Sequence, residues 1–235
     1  MTLLQACLNG NRPRADHPAV PITPEELAEA ARGAVGAGAA ELHAHPRGPD
    51  EQDTVEPTSV AAAVTAIRAA CPTTPLGLTT GLWSTSGDAE RRHAHVAAWE
   101  ELPDYVSANA GETGFAELCA LVTGHGVGIE VGVWSLADAE TLIATGIAPM
   151  RVLVETNDVN VAGEIGAALE EGGVSAPQLH HGANQGTWAV LDAALARGRD
   201  IRVGMEDTIV LPGGSPARDN AQLVAEAARR VQHGP

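Results

Sequence analysis

The sequence predicts a (β/α)8 TIM barrel, an α/β fold in a single domain over residues 1–235, and three observations predict it. Eight short apolar runs recur along the chain, Ala-rich stretches with helix-starting signals separate them, and 235 residues suit one such barrel of about 250. A doubly wound open sheet is the competing architecture, but no G-x-G-x-x-G follows the first strand. No linker, low-complexity tract or charge block marks a second domain.

The first strand is expected at residues 3–8, and Thr23-Pro24-Glu25-Glu26 then supplies a cap, a proline and early acids for a helix. The second strand falls at 40–44, with Pro57-Thr58 opening the next helix. A third strand at 76–80 precedes the start signal Ser86-Gly87-Asp88, and a fourth lies at 105–108. The fifth, at 128–134, runs into Ser135-Leu136-Ala137-Asp138, another capped start. Strands six to eight are expected at 151–155, 178–181 and 201–205, and a last helix follows Asp219-Asn220.

Composition narrows the function. All 14 basic residues are Arg, and against 30 acids they leave a net charge of −16, which repels nucleic acid and anionic membranes. With no Lys, the chain cannot form a Schiff base, anchor pyridoxal phosphate or build a P-loop. One Phe and one Tyr in a chain that is 44% hydrophobic mean a core of Ala, Val, Leu and Ile. Cys7, Cys71 and Cys119 are odd in number and far apart, so neither a disulfide framework nor a thiolate zinc site is expected. A reduced, cytoplasmic protein fits. The segment Met1-Thr2-Leu3-Leu4-Gln5 lacks a basic region and no apolar run approaches about 18 residues, so neither export signal nor membrane span is expected.

In such a barrel the C-terminal strand ends share one mouth, where the chemistry sits. Strand two ends Glu41-Leu42-His43-Ala44-His45, and a period of two puts His43 and His45 on one face, within reach of one metal ion. The competing reading is two histidines bonded to nearby backbone. Strand eight ends Arg202-Val203-Gly204-Met205-Glu206-Asp207. It adjoins strand one on closure, so Glu206 can complete a His-His-Glu site while Asp207 serves as base, held ionised by Arg202. A salt-bridged barrel layer is the alternative. Glu130 inside an apolar strand must be paired or metal-linked, and is expected near the site. Thr79, Thr80, Ser107 and Asn109 end strands three and four and could hydrogen-bond a substrate carboxylate. One of His180 and His181 must alternate inward, as a ligand, an acid or a binding group. His93, His95 and His125 read as surface, and Trp83, Trp134 and Trp188 as pocket walls or packing under loops.

These residues resemble the β-keto acid cleavage enzymes. The likeness runs from Asn9-Gly10 and Pro21-Ile22-Thr23-Pro24-Glu25-Glu26 through His43-Ala44-His45-Pro46-Arg47, Thr79-Thr80-Gly81, Asn109-Ala110-Gly111 and Ile129-Glu130-Val131 to Arg202-Val203-Gly204-Met205-Glu206-Asp207. It implies a zinc-dependent barrel, zinc sitting on His43, His45 and Glu206, that condenses a β-keto acid with acetyl-CoA to give acetoacetate and a new CoA thioester. By the same resemblance the Asp207–Arg202 pair makes the nucleophile, Glu130 assists, and Thr79 and Ser107 hold the substrate carboxylate. Arg12 aligns with an acid that reads an amino group, so an anionic or polar substrate tail is expected here. Arg12, His180 and His181 are the residues expected to set substrate choice. The chain departs from the family pattern at Glu155-Thr156-Asn157-Asp158 and His180-His181-Gly182. Those departures keep open a metal-dependent hydrolase or class II aldolase that does not use CoA; a non-catalytic barrel has little support. Other divalent ions also suit two His and a carboxylate. The expected partners are small molecules and further copies of the chain in a homo-oligomer.

Overall fold

The protein is described by a computed structural model over residues 2–233. Eight parallel strands close into one barrel in sequence order: β1 (Leu4–Cys7), β2 (Glu41–Ala44), β3 (Leu76–Thr79), β4 (Tyr105–Asn109), β5 (Gly128–Val133), β6 (Arg151–Glu155), β7 (Gln178–His181) and β8 (Asp200–Val203). Each is followed by a helix: α1 (Pro24–Gly36), α2 (Pro57–Ala70), α3 (Ala89–Ala97), α4 (Phe115–Gly124), α5 (Leu136–Thr145), α6 (Val159–Glu171), α7 (Thr187–Ala196) and α8 (Asn220–His233). The barrel expected from the apolar runs is the fold observed.

Local chemistry sets the helix starts. Thr23 and Glu26 form a reciprocal capping box on α1, and Asp88, Ser135 and Asp158 each accept a first-turn backbone N–H. Outward strand residues such as Leu42, Val106, Val131, Val152 and Ile201 are buried against the helices. Each such side chain contributes about 1.5–3 kcal/mol. The helices answer with small faces, Leu27, Ala31 and Ala34 on α1 and Leu223, Val224 and Ala227 on α8.

The eighth strand is shorter than expected. It ends at Val203, because Gly204 turns the chain: the N–H groups of Asp207 and Thr208 both donate to the Gly204 carbonyl, each at 2.9 Å. A Cβ at position 204 would collide with the Cys7 carbonyl, so only glycine lets this turn pack against β1. Glu206 and Asp207 therefore sit on a tight turn above β8, not on the strand.

Inside the barrel, the layer beneath the mouth is polar where aliphatic side chains usually fill the space. Gln5 Nε2 reaches across from β1 to Tyr105 Oη at 3.0 Å and Glu130 Oε1 at 2.8 Å. Arg151 donates from Nε to Glu130 at 2.7 Å and from a terminal nitrogen to Glu41 at 2.6 Å, and Tyr105 donates to the Leu42 carbonyl at 2.8 Å. Five strands are tied through one ion-paired plug.

Candidate active site

A cavity of about 680 Å³ opens at the C-terminal strand ends. His43 and His45 project into it from β2, and Gly10, at φ +56°, leaves the space in which the Glu206 side chain turns toward them. Glu206 Oε2 lies 3.9 Å from His43 Nε2 and 3.6 Å from His45 Nε2, and one donor atom from each of the three residues falls within 4.8 Å of the others. Two imidazoles and a carboxylate at that spacing are a donor set for a divalent cation. The polar atoms agree, since Glu206 Oε2, the oxygen facing both imidazoles, is buried without a hydrogen-bond partner.

Charge at the cage points the same way. Burial brings the His43 pKa down to about 3, leaving a neutral imidazole with a lone pair to give. The same burial acts on His45, but the Glu206 and Asp53 carboxylates outweigh it and raise that pKa to about 9. Burial works against the Glu206 carboxylate too; Arg202 and the two imidazoles nevertheless hold it well below the usual carboxyl range. The cage thus attracts positive charge. Asp53 Oδ2 also orients its ligand, lying 2.7 Å from His45 Nδ1, so the Nδ1 proton points at Asp53 and Nε2 is free to face Glu206. Trp83 donates its indole N–H to the same oxygen at 3.0 Å and stacks on the His45 ring, while Arg47 pairs with Asp53 Oδ1 at 3.0 Å.

Beside the cage, Arg202 bridges the two acids of the turn, with one nitrogen 2.6 Å from Glu206 Oε1 and 2.8 Å from Asp207 Oδ1. Asp207 Oδ2 is buried and unpartnered, a bare oxygen next to the cage. His181 faces the same cavity from β7, with Nδ1 3.4 Å from Asp207 Oδ1 and Nε2 3.2 Å from Glu155 Oε2. Burial and Arg202 oppose a proton on its ring, yet the two flanking carboxylates raise its pKa.

The turn is braced from several directions. Arg12 Nε donates to the Met205 carbonyl at 2.7 Å, and a terminal nitrogen donates to the Glu206 carbonyl at 3.2 Å and to Asn184 Oδ1 at 3.1 Å. Asn184 N donates to the Asp207 carbonyl at 2.5 Å, and Asn220, at the head of α8, ties Met205 N to the Leu8 carbonyl. Arg12 lines the cavity as expected of a substrate reader, but its guanidinium is largely consumed by backbone. It holds the Glu206 turn in place instead of presenting a free cation.

The other expected residues divide. Thr79 and Ser107 line the cavity from adjacent strands, in register with one another. Asn109 also lines it, though its amide is committed, donating to Glu112 at 2.8 Å and accepting from Trp134 at 3.2 Å. Glu130 lies in the polar plug below and is not part of the cavity wall; β5 carries it inward, but one layer too low. His180 is corrected outright as a substrate contact: strand alternation turns it outward, where its Nε2 meets Gln178 Oε1 at 2.9 Å beside α6, and His181 is the inward member of the pair. Trp83 and Trp134 wall the cavity, whereas Trp188 packs under the loop after β8 and donates to the Val210 carbonyl. His125 is exposed, and His93 and His95 are half-buried on α3. Reading the sequence missed Asp53 and the role of Glu155. Asp53 sits on a loop with no motif around it; for Glu155 the signal was present, a carboxylate at the mouth end of a strand whose three preceding residues are apolar.

The chain is similar to known proteins over most of its length. A family model described as beta-keto acid cleavage enzyme matches residues 2–233. The 3-keto-5-aminohexanoate cleavage enzyme of Acetoanaerobium sticklandii is 24% identical, over 97% of this chain and 90% of that protein. The 3-oxoadipate:acetyl-CoA acetyltransferase of Cupriavidus necator is 32% identical over 48% of this chain and 38% of its own. Among solved structures, ObcA in binary complex with oxaloacetate superposes with a TM-score of 0.78 at 18% identity, covering 92% of this chain and 64% of that one. The likeness to ObcA is one of fold, and this chain spans about two thirds of its length. No described helix is long and apolar enough to cross a membrane. A closed barrel with a His-His-Glu cage at its mouth, matched end to end by one family model, places the chain in the beta-keto acid cleavage enzyme family.

Proposed function

We propose that this protein is a metal-dependent acyltransferase, with zinc as the metal, that transfers the carboxymethyl unit of a β-keto acid to the acetyl group of acetyl-CoA. The C2–C3 bond of the keto acid breaks, C2 bonds to the acetyl carbonyl carbon, and the remaining acyl group joins the CoA sulfur. The products are acetoacetate and a new CoA thioester. One observation carries the reading: the cage of His43, His45 and Glu206 and the bare oxygen of Asp207 face one cavity in a chain of this family. The names of the Acetoanaerobium and Cupriavidus relatives support the reaction class.

His43, His45 and Glu206 would hold the metal, and a bound divalent cation supplies Lewis acidity toward the keto oxygen. Thr79 and Ser107 offer hydroxyls to the substrate carboxylate from adjacent strands. Asp207 takes a proton from C2 at Oδ2, because Arg202 and His181 both occupy its Oδ1 side. The same oxygen returns the proton when acetoacetate forms. Glu130, fixed in the plug below, contributes a negative charge that reaches Arg202.

A second reading, cleavage by water or an aldol-type lyase without CoA, is favoured by one feature. CoA carries phosphates, and the arginines around the mouth are engaged: Arg12 on backbone carbonyls, Arg47 on Asp53, Arg202 on the turn acids. The deciding experiment incubates metal-analysed protein with a panel of β-keto acids, with and without acetyl-CoA, and detects acetoacetate and thioesters by mass. Acetoacetate plus a new thioester, lost in His43→Ala, is expected; turnover independent of CoA would replace the first reading with the second.

A further inference from the structure

Two carboxylates in the cavity wall, Asp16 and Glu155, are used by neither the cage nor the base; Asp16 is exposed and paired with Arg12, whereas Glu155 is buried deeper against β7. Glu155 ends β6 and lines the cavity, and its Oε2 is held 3.2 Å from His181 Nε2. Backbone pairing fixes the two against each other, since Glu155 and His181 are register partners and Thr156 N donates to the His181 carbonyl at 3.2 Å. Glu155 Oε1 accepts no hydrogen bond from a described residue and lies over Gly132, where an added Cβ would stand 2.8 Å from it. Only the absence of a side chain at 132 makes room for that oxygen beside Asn109 Oδ1, and Glu155, Asn109 and Trp134 line the cavity together. His181 spans from Glu155 to Asp207, so Glu155 is an imidazole's width from the proposed base. A tail extending from the reacting carbons toward β6 and β7 meets it.

Acids dominate the charge along that path. Asp16, Glu155, Glu206 and Asp207 line the cavity against Arg12 and Arg202, and both guanidiniums are already bonded to protein atoms. A second carboxylate on the substrate would face Glu155, and the basic group beside it, His181, is already shared between Glu155 and Asp207. An O–H or N–H would find an acceptor oxygen with no other partner.

We propose that Glu155, positioned by His181, determines substrate choice: it selects β-keto acids whose tail ends in a hydrogen-bond donor, a hydroxyl or an amine, and rejects those ending in a second carboxylate. This rests on the β-keto acid reading above and assigns the tail to β6 and β7 in place of Arg12.

Four β-keto acids of equal length, ending in methyl, hydroxyl, ammonium or carboxylate, test it in two arms. Calorimetric binding to the metal-loaded protein without acetyl-CoA should rank hydroxyl and ammonium tails on the order of 10- to 100-fold tighter than methyl, with carboxylate weakest. Glu155→Gln, whose amide can donate, should erase most of that advantage and strengthen the carboxylate tail while metal content stays unchanged. Turnover with acetyl-CoA should follow the same order, through KM more than kcat. A carboxylate tail binding best to the wild-type protein overturns the proposal, whether or not the variant folds. So does a folded Glu155→Gln protein with an unchanged ranking. Binding in the expected order with no cleavage of any acid would retain the subsite and sink the reaction.

Discussion

Two clusters of buried charge lie one above the other in this barrel, and they are built on opposite terms. In the lower one, Gln5, Glu41, Tyr105, Glu130 and Arg151 bond mainly to one another, and among their fully buried polar atoms Glu130 Oε2 is the one left unpartnered. In the upper one, His43 Nδ1, Glu206 Oε2, Asp207 Oδ2 and both His181 ring nitrogens are buried without an aligned hydrogen bond. Desolvated atoms left unmatched cost stability, so the upper cluster is kept for something other than holding the barrel together. The lower cluster does hold it, and the pairing of its atoms distinguishes the two more sharply than burial or charge does.

Removing a cage ligand tests the contrast most strongly. Glu206→Gln should lose the metal and lower kcat/KM by at least about 10³-fold, the loss expected with several kcal/mol of electrostatic stabilisation. Its urea midpoint without metal should stay close to that of the metal-free wild type; a collapse of the fold would erase the distinction between the clusters. Arg151→Met should do the reverse. Stranding Glu130 and Glu41 costs about 3–5 kcal/mol in denaturant unfolding, while the protein that remains folded keeps its metal content.

Asp53→Asn probes the support behind the cage. Losing the carboxylate that orients His45 should weaken metal affinity about 10- to 100-fold in a chelator competition, with little change in unfolding. The smallest effect lies far from both clusters, in the α1 capping box. Hydrogen bonds from Arg14, then from the Ile22 and Thr23 backbone, lower the Glu26 pKa from its ordinary 4.5 to about 2. A depressed carboxyl stabilises the fold above its unfolded pKa, and that contribution is lost as pH falls through its folded value. The gap between wild type and Glu26→Gln, under about 1 kcal/mol at this exposed site, should therefore be full at neutral pH and close between about pH 4.5 and 2. Thermal melts at stepped pH would show a gap that widens on acidification if the sign is wrong.

Much of this architecture was legible in the residues, and the losses have physical causes. Eight apolar runs fixed the strand count because a parallel barrel buries both strand faces. His43 and His45 could be placed together because a period of two needs no further information. His180 and His181 could not be ordered, since adjacent residues point to opposite faces and only the register against β6 says which is inward. Glu130 was placed on the right face and the wrong level, because layer height depends on barrel stagger, which no single strand records. Arg12 was read by its charge, yet its role is set by carbonyls 193 and 194 residues away. Asp53 belongs to a loop folded back on β2, a contact with no periodicity to announce it.

The close approach of Gly204 to Cys7 has a consequence for how the protein assembles. That contact closes the seam between the eighth strand and the first, and the same turn carries Glu206 across to the histidines. The cage therefore needs β8 seated on β1 beside β2, which brings together donors more than 160 residues apart in the chain. A cation that binds the ring and not the open chain stabilises closure by mass action. Metal binding would then serve as a latch on that seam, drawn shut between residues far apart in sequence and adjacent in space.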